Sequence, residues 1–133
     1  RGVNAQAPGK RPLSTMSPTI VYDPSGKPFM SVGSAGAARI VTAIAQTIIN
    51  VIDRSMSTDE AIEQVRFHCI SGKNILIDAD RLAPNTQKVL EAMGYKVQQG
   101  APGELGTLQA IRITKDGLEG GADSRRLGKP IGF

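Results

Sequence analysis

The chain has 133 residues and a formal net charge of +4; 40% of its residues are hydrophobic and 21% charged, values near globular averages, so it is read as one domain or part of one. A single cysteine excludes an internal disulfide framework and a cysteine-based zinc site, and no run approaches the ~18 apolar residues of a membrane span. The basic residues are scattered apart from Lys10-Arg11 and Arg125-Arg126, without interleaved aromatics, so no nucleic-acid partner is expected.

The chain opens at Arg1 rather than at methionine, which raises the expectation of a processed product or excised fragment. Residues 1–18 are polar and punctuated by Pro8, Pro12 and Pro18, and are expected to be extended. Within them Ser14, Thr15 and Ser17 form a hydroxyl cluster between prolines. Such a cluster can present donors to a carboxylate at low entropic cost. Composition alone favours the plainer alternative, a loop whose Ser and Thr cap their own backbone.

Thr19-Ile20-Val21-Tyr22, the turn Asp23-Pro24-Ser25-Gly26-Lys27 and Pro28-Phe29-Met30-Ser31-Val32 predict a β-hairpin. The second strand runs into Gly33-Ser34-Ala35-Gly36-Ala37-Ala38-Arg39-Ile40, a small-residue turn that opens a long apolar helix. Unpartnered N–H groups at a helix start, with the macrodipole behind them, can hold a phosphate, a carboxylate or an acyl-transfer oxyanion. Chain position leaves these three open. The helix is expected to reach about Asp53, with Ile40, Ile44, Ile48, Val51 and the adjacent Val41, Ala45, Ile49, Ile52 forming a wide buried face. Thr42, Gln46 and Asn50 would lie on the other side.

Ser57-Thr58-Asp59-Glu60 announces a second helix, closing over Arg66-Phe67-His68-Cys69. His68 beside Cys69 is assigned a structural role, since sequence neighbours rarely face each other and no third orienting residue is apparent. A strand at 74–78, a helix from Pro84 to the C-cap Gly94 and a strand at 95–99 follow. After a glycine-rich connector at 100–106, the alternation of 107–113 predicts a half-buried strand. Asp116-Gly117 turns it into a glycine-weakened returning strand at 118–123. Strand pairs joined by tight turns beside helices predict an α+β fold with mainly antiparallel sheet.

Two long motifs, Lys10-Arg11-Pro12-Leu13-Ser14-Thr15-Met16-Ser17-Pro18-Thr19 and Gly33-Ser34-Ala35-Gly36-Ala37-Ala38-Arg39-Ile40, resemble the gamma-glutamyltranspeptidase family, in the C-terminal part of its small subunit. Asn4 and Pro8 fall in place, as do Ala61 with Val65-Arg66-Phe67-His68, Leu82-Ala83-Pro84-Asn85-Thr86, Glu91-Ala92-Met93-Gly94-Tyr95-Lys96-Val97 and Gly121-Ala122-Asp123-Ser124-Arg125-Arg126. The resemblance implies part of an N-terminal-nucleophile (Ntn) hydrolase with a four-layer αββα sandwich, made as an autoprocessing zymogen that yields a heterodimer. It implies cleavage of gamma-glutamyl amides such as glutathione through an acyl-enzyme, with transfer to water, an amino acid or a peptide. No cofactor or metal is implied, and a periplasmic or secreted bacterial setting is.

By the same resemblance Ser14 and Thr15 bind the substrate's alpha-carboxylate, and the backbone N–H groups of Gly36 and Ala37 form an oxyanion hole. The partners implied are a gamma-glutamyl small molecule and the upstream part of the same precursor: the segment before Arg1 that carries the nucleophilic threonine, and the large subunit, whose arginine pairs with the carboxylate. The isolated chain is therefore expected to be inert. Arg66 and Arg125 are read as structural ion-pair formers rather than substrate ligands.

Departures from the family pattern include Thr15 in place of Ser, Ala35 in place of Pro, Ala37 in place of the second Gly, and Cys69 in place of a second His. Any need for positive φ at Ala37 would then carry strain. These departures fit a divergent branch, acting on poly-gamma-glutamate or on acyl side chains. A non-catalytic fragment or degenerate relative serving as a scaffold or binding module is the remaining alternative.

Overall fold

The protein was analysed as a computed structural model that describes residues 2, 4–11, 16–78 and 81–132. Among the described residues, seven strands form two sheets and three α-helices accompany them, and the fold is α+β. The first sheet has the order β1-β2-β6-β7 and is antiparallel throughout: β1 (Thr19–Tyr22), β2 (Pro28–Ala35), β6 (Thr107–Thr114) and β7 (Gly117–Ala122). Local turn chemistry makes both of its hairpins. Asp23 accepts from the Ser25 and Lys27 N–H groups and from the Ser25 hydroxyl, and Gly117, at φ 124, already pairs with Thr114.

Helices α1 (Ile40–Ile52) and α2 (Thr58–Glu63) cover one face of this sheet. The core lies there, where Met30, Val32, Leu108 and Ala110 meet Ile40, Ala43, Ile44 and Val51 of α1 and Ala61 and Ile62 of α2. Ser57 caps α2 in a reciprocal box with Glu60. The returning strand β7 keeps Gly121 because α2 presses on it: a Cβ there would stand 2.9 Å from Ile62 Cδ1 and 3.1 Å from Asp59 N. The glycine thus seats α2.

The wide apolar face expected of α1 is only half buried. Ile40, Ile44 and Val51 are inside, whereas Val41, Ile49 and Ile52 are each about half exposed. Thr47 and Asn50 are buried in their place. Thr47 Oγ1 donates to Ala43 O within α1 at 3.0 Å, and Asn50 Nδ2 donates across to Ala61 O of α2 at 3.3 Å, so both are satisfied.

The second sheet, β3-β4-β5, consists of β3 (Phe67–Ser71), β4 (Asn74–Asp78) and β5 (Lys96–Gly100). Helix α3 (Pro84–Ala92) makes the crossover between β4 and β5, which are parallel. β3 corrects the expected helical ending at 66–69. Helix α2 stops at Glu63, Gln64 turns extended at ψ 154, and Phe67, His68 and Cys69 pair with Ile77, Leu76 and Ile75. The cause is non-local: Arg66 is drawn into a buried cluster with Asp78 and Asp123, which pulls the chain out of the helix.

Candidate functional site

β2 ends at Ala35 and the chain turns through Gly36 into a single 3-10 turn, Ala37–Arg39, before α1 begins. The helix expected from Gly36 thus starts with a tighter turn. Gly36 has φ 148, and Ala37 has φ 51, a left-handed value costly for a residue with a Cβ. The strain anticipated for alanine at this position is present. Gly36 and Ala37 line a cavity of ≈ 640 Å³ together with Met16, Ser17, Pro18 and Ser34.

Among the described residues, neither the Gly36 N–H nor the Ala37 N–H donates a hydrogen bond; the turn is closed by Arg39 N donating to Gly36 O at 3.1 Å. No acidic side chain lies in the first turn of the 3-10 segment or of α1 to offset the positive end. The site can accept negative charge. Ser14 and Thr15 lie outside the described residues. The residues that follow them, Met16, Ser17 and Pro18, line the cavity beside Gly36 and Ala37. Among the described residues, no group of three or more His, Cys, Asp or Glu side chains could hold a metal ion, and no helix is long and apolar enough to cross a membrane.

Arg66 and Arg125 are buried in ion pairs, as their structural assignment expected. Arg66 Nη2 lies 2.8 Å from Asp123 Oδ2, Arg125 Nη2 lies 2.8 Å from Asp78 Oδ2, and Arg125 Nη1 lies 3.1 Å from Asp123 Oδ1. Burial pushes the Asp123 carboxyl up, but the Arg66 charge and hydrogen bond and the N–H groups of Arg125 and Leu108 hold it below the usual range. Burial lowers the Arg66 guanidinium, with the Arg125 charge adding to it against the pull of the carboxylates.

His68 and Cys69, adjacent on β3, do not form a catalytic pair, because successive strand side chains point to opposite faces. His68 has a partner that its sequence neighbours did not reveal: its Nδ1 lies 3.0 Å from Thr42 Oγ1 on α1. Cys69 Sγ instead donates to Gly72 O at 3.4 Å.

Two residues near the turn, Gly106 and Glu104, escaped the sequence-based assignment. Gly106, at φ 102, approaches Gly36 so closely that a Cβ on Gly36 would stand 2.7 Å from Gly106 Cα. Glu104 pairs with Arg39 at 3.2 Å. The signal for Gly106 was a glycine at the very mouth of an alternating strand, a position that marks close backbone approach.

The gamma-glutamyltranspeptidase family model matches residues 1–133. The "Glutathione hydrolase proenzyme" of Pseudomonas sp. (strain A14) is 42% identical over 130 residues, covering 97% of this chain and 21% of that relative. The "Acylase ACY 1 proenzyme" of Pseudomonas sp. (strain V22) is 34% identical over 126 residues, covering 94% of this chain and 22% of that relative. Among solved structures, gamma-glutamyltranspeptidase from Pseudomonas nitroreducens complexed with L-DON superposes with a TM-score of 0.86 at 34% identity, over 99% of this chain and 69% of that chain.

The chain thus spans about a fifth of the length of these curated relatives. Its sheets and helices are part of the αββα sandwich of the Ntn hydrolases. Matched by the family model over its whole length, and with the hydroxyl and small-residue motifs both in place, the chain belongs to the gamma-glutamyltranspeptidase family.

Proposed function

We propose that this chain supplies the charge-receiving half of an active site that cleaves gamma-glutamyl amides. In this reading the hydroxyls of Ser14 and Thr15 hold the substrate's alpha-carboxylate. A threonine hydroxyl from a segment preceding this chain in the same precursor attacks the gamma-carbonyl carbon. As the C–O bond forms, the carbonyl oxygen gains negative charge, which the N–H groups of Gly36 and Ala37 receive. The tetrahedral centre then collapses, the C–N bond breaks, and the amine leaves with the proton that the threonine hydroxyl has given up. A gamma-glutamyl ester remains on the threonine, and water or an acceptor amine resolves it by the same steps in reverse order. Preset N–H donors cost no reorganisation when the charge appears, and each is worth roughly 3 kcal/mol in such sites.

The observation that carries this reading is Ala37 at φ 51 on the wall of the cavity. A strained non-glycine residue persists only where its surroundings over-determine it, and such residues gather at functional sites. Without the nucleophile-bearing segment the chain has no attacking group in this scheme, so the isolated polypeptide is inert.

The test is a Ser14→Ala change in the complete precursor, assayed with a chromogenic gamma-glutamyl amide. Loss of one hydrogen bond to a charged carboxylate raises KM about tenfold with kcat nearly unchanged. An unaltered KM would remove Ser14 from the carboxylate site. A second reading, acylase-type cleavage of a side chain without an alpha-carboxylate, draws on the methyl that Thr15 adds and on the acylase relative. It would show as turnover of such acyl amides that the Ser14→Ala change leaves intact.

A further inference from the structure

Ala37 pays for its conformation alone unless something holds it, and residues 101–106 are placed to do so. We propose that Gly106 and Glu104 are positioning residues that clamp the Gly36–Ala37 turn in its donor geometry; this rests on the oxyanion reading above.

The clamp touches the turn on both sides of Ala37. On one side, the Gly36 and Gly106 backbones meet with no side chain between them: a Cβ on Gly36 would lie 2.7 Å from Gly106 Cα and 3.2 Å from Gly106 N. Gly106 is equally confined, since a Cβ there would stand 2.8 Å from Ser34 Oγ, 3.2 Å from Ala43 Cβ and 3.3 Å from Ala35 O. On the other side, Glu104 Oε1 accepts from Arg39 Nη2 at 3.2 Å, two residues beyond Ala37.

The clamp is itself fixed. Glu104 Oε2 accepts from Ala101 N at 2.9 Å, Glu104 N donates to Ala101 O at 2.9 Å, and Leu105 is buried. Gly106 O accepts from Arg66 Nη2 at 3.1 Å, and Arg66 is anchored on Asp123. A rigid buried pair thus reaches the oxyanion turn through one carbonyl and one glycine contact. Neither Gly106 nor Glu104 lines the cavity, so they act through the turn rather than on substrate.

The experiment uses the complete precursor with Glu104→Gln, Gly106→Ala and Ala37→Val, and Glu104→Gln again on an Ala37→Gly background, measuring kcat, KM and melting temperature. Glu104→Gln, at a partly exposed pair, retains the fold even where Gly106→Ala does not. The expected result is a kcat about tenfold lower with KM within about twofold, a fraction of the 10²–10³ seen when a donor is lost outright. Glycine at 37 adopts the left-handed region without strain, so on that background the Glu104→Gln loss shrinks to less than about twofold. A merely structural role for Glu104 would give the same loss on both backgrounds, or a lower melting temperature without a kcat change, and either overturns the clamp. If Glu104→Gln leaves kcat intact while Ala37→Val lowers it, the clamp fails and the oxyanion assignment stands. If Ala37→Val also leaves kcat intact, both fall.

Discussion

Replacing Ala37 by glycine should stabilise the protein, against the usual direction of Ala→Gly changes. Ala37 sits at φ 51, where an L-residue with a Cβ is about 1–2 kcal/mol worse off than in the right-handed region. Glycine removes that cost but gives the unfolded chain more freedom, worth about 0.4–1 kcal/mol in the opposite sense. The balance is a gain of roughly 0.5 kcal/mol from these two effects. Ala38, the next residue of the same 3-10 turn, has no positive φ, so Ala38→Gly carries only the entropic penalty and should lose about 0.5–1 kcal/mol. The two substitutions are chemically identical and one residue apart, so their difference isolates the backbone conformation. Urea midpoints of the complete protein, compared at constant m-value, should move up for Ala37→Gly and down for Ala38→Gly. Equal downward shifts for both would show that Ala37 is not strained, and the reasoning from strain to site would fail with it.

Asp123→Asn removes one charge from the buried cluster with Arg66, Arg125 and Asp78, leaving arginine charge uncompensated. A loss of about 3–5 kcal/mol in chemical denaturation is expected, as for other broken buried pairs. The pH dependence of the wild-type chain follows from the same residue. Because the folded Asp123 carboxyl sits below its unfolded value, its contribution is complete above about pH 4 and disappears as pH falls through the lower folded value. Stability should therefore drop on acidification below about pH 4, and the Asp123→Asn variant should show a flatter acid limb.

Much of the architecture was legible because local chemistry makes it. The hairpin at Asp23–Lys27, the proline-started helix at Pro84 and the turn before Gly117 are each specified within a few residues. The errors fell where distant partners decide. Arg66 leaves the helical pattern because Asp78 and Asp123 hold it, and Asn50 turns inward because the Ala61 carbonyl is there to accept from it. The candidate turn was visible as a run of small residues between a strand and a helix, and the strain at Ala37 followed from comparison with the family pattern. The contact of Gly36 with Gly106 was not visible, since it joins segments 70 positions apart in the numbering. Nor was the Thr42–His68 hydrogen bond, which links α1 to a strand assigned from sequence as the end of a helix.

The most direct measurement is a crystal structure of the complete precursor after autoprocessing, trapped with a gamma-glutamyl phosphonate that mimics the tetrahedral centre. The phosphonyl oxygen that stands for the oxyanion should lie about 2.7–3.1 Å from both Gly36 N and Ala37 N, with Ala37 still at positive φ. A tetrahedral adduct whose oxygens all sit beyond about 4 Å from both nitrogens, outside hydrogen-bond reach, would contradict the assignment.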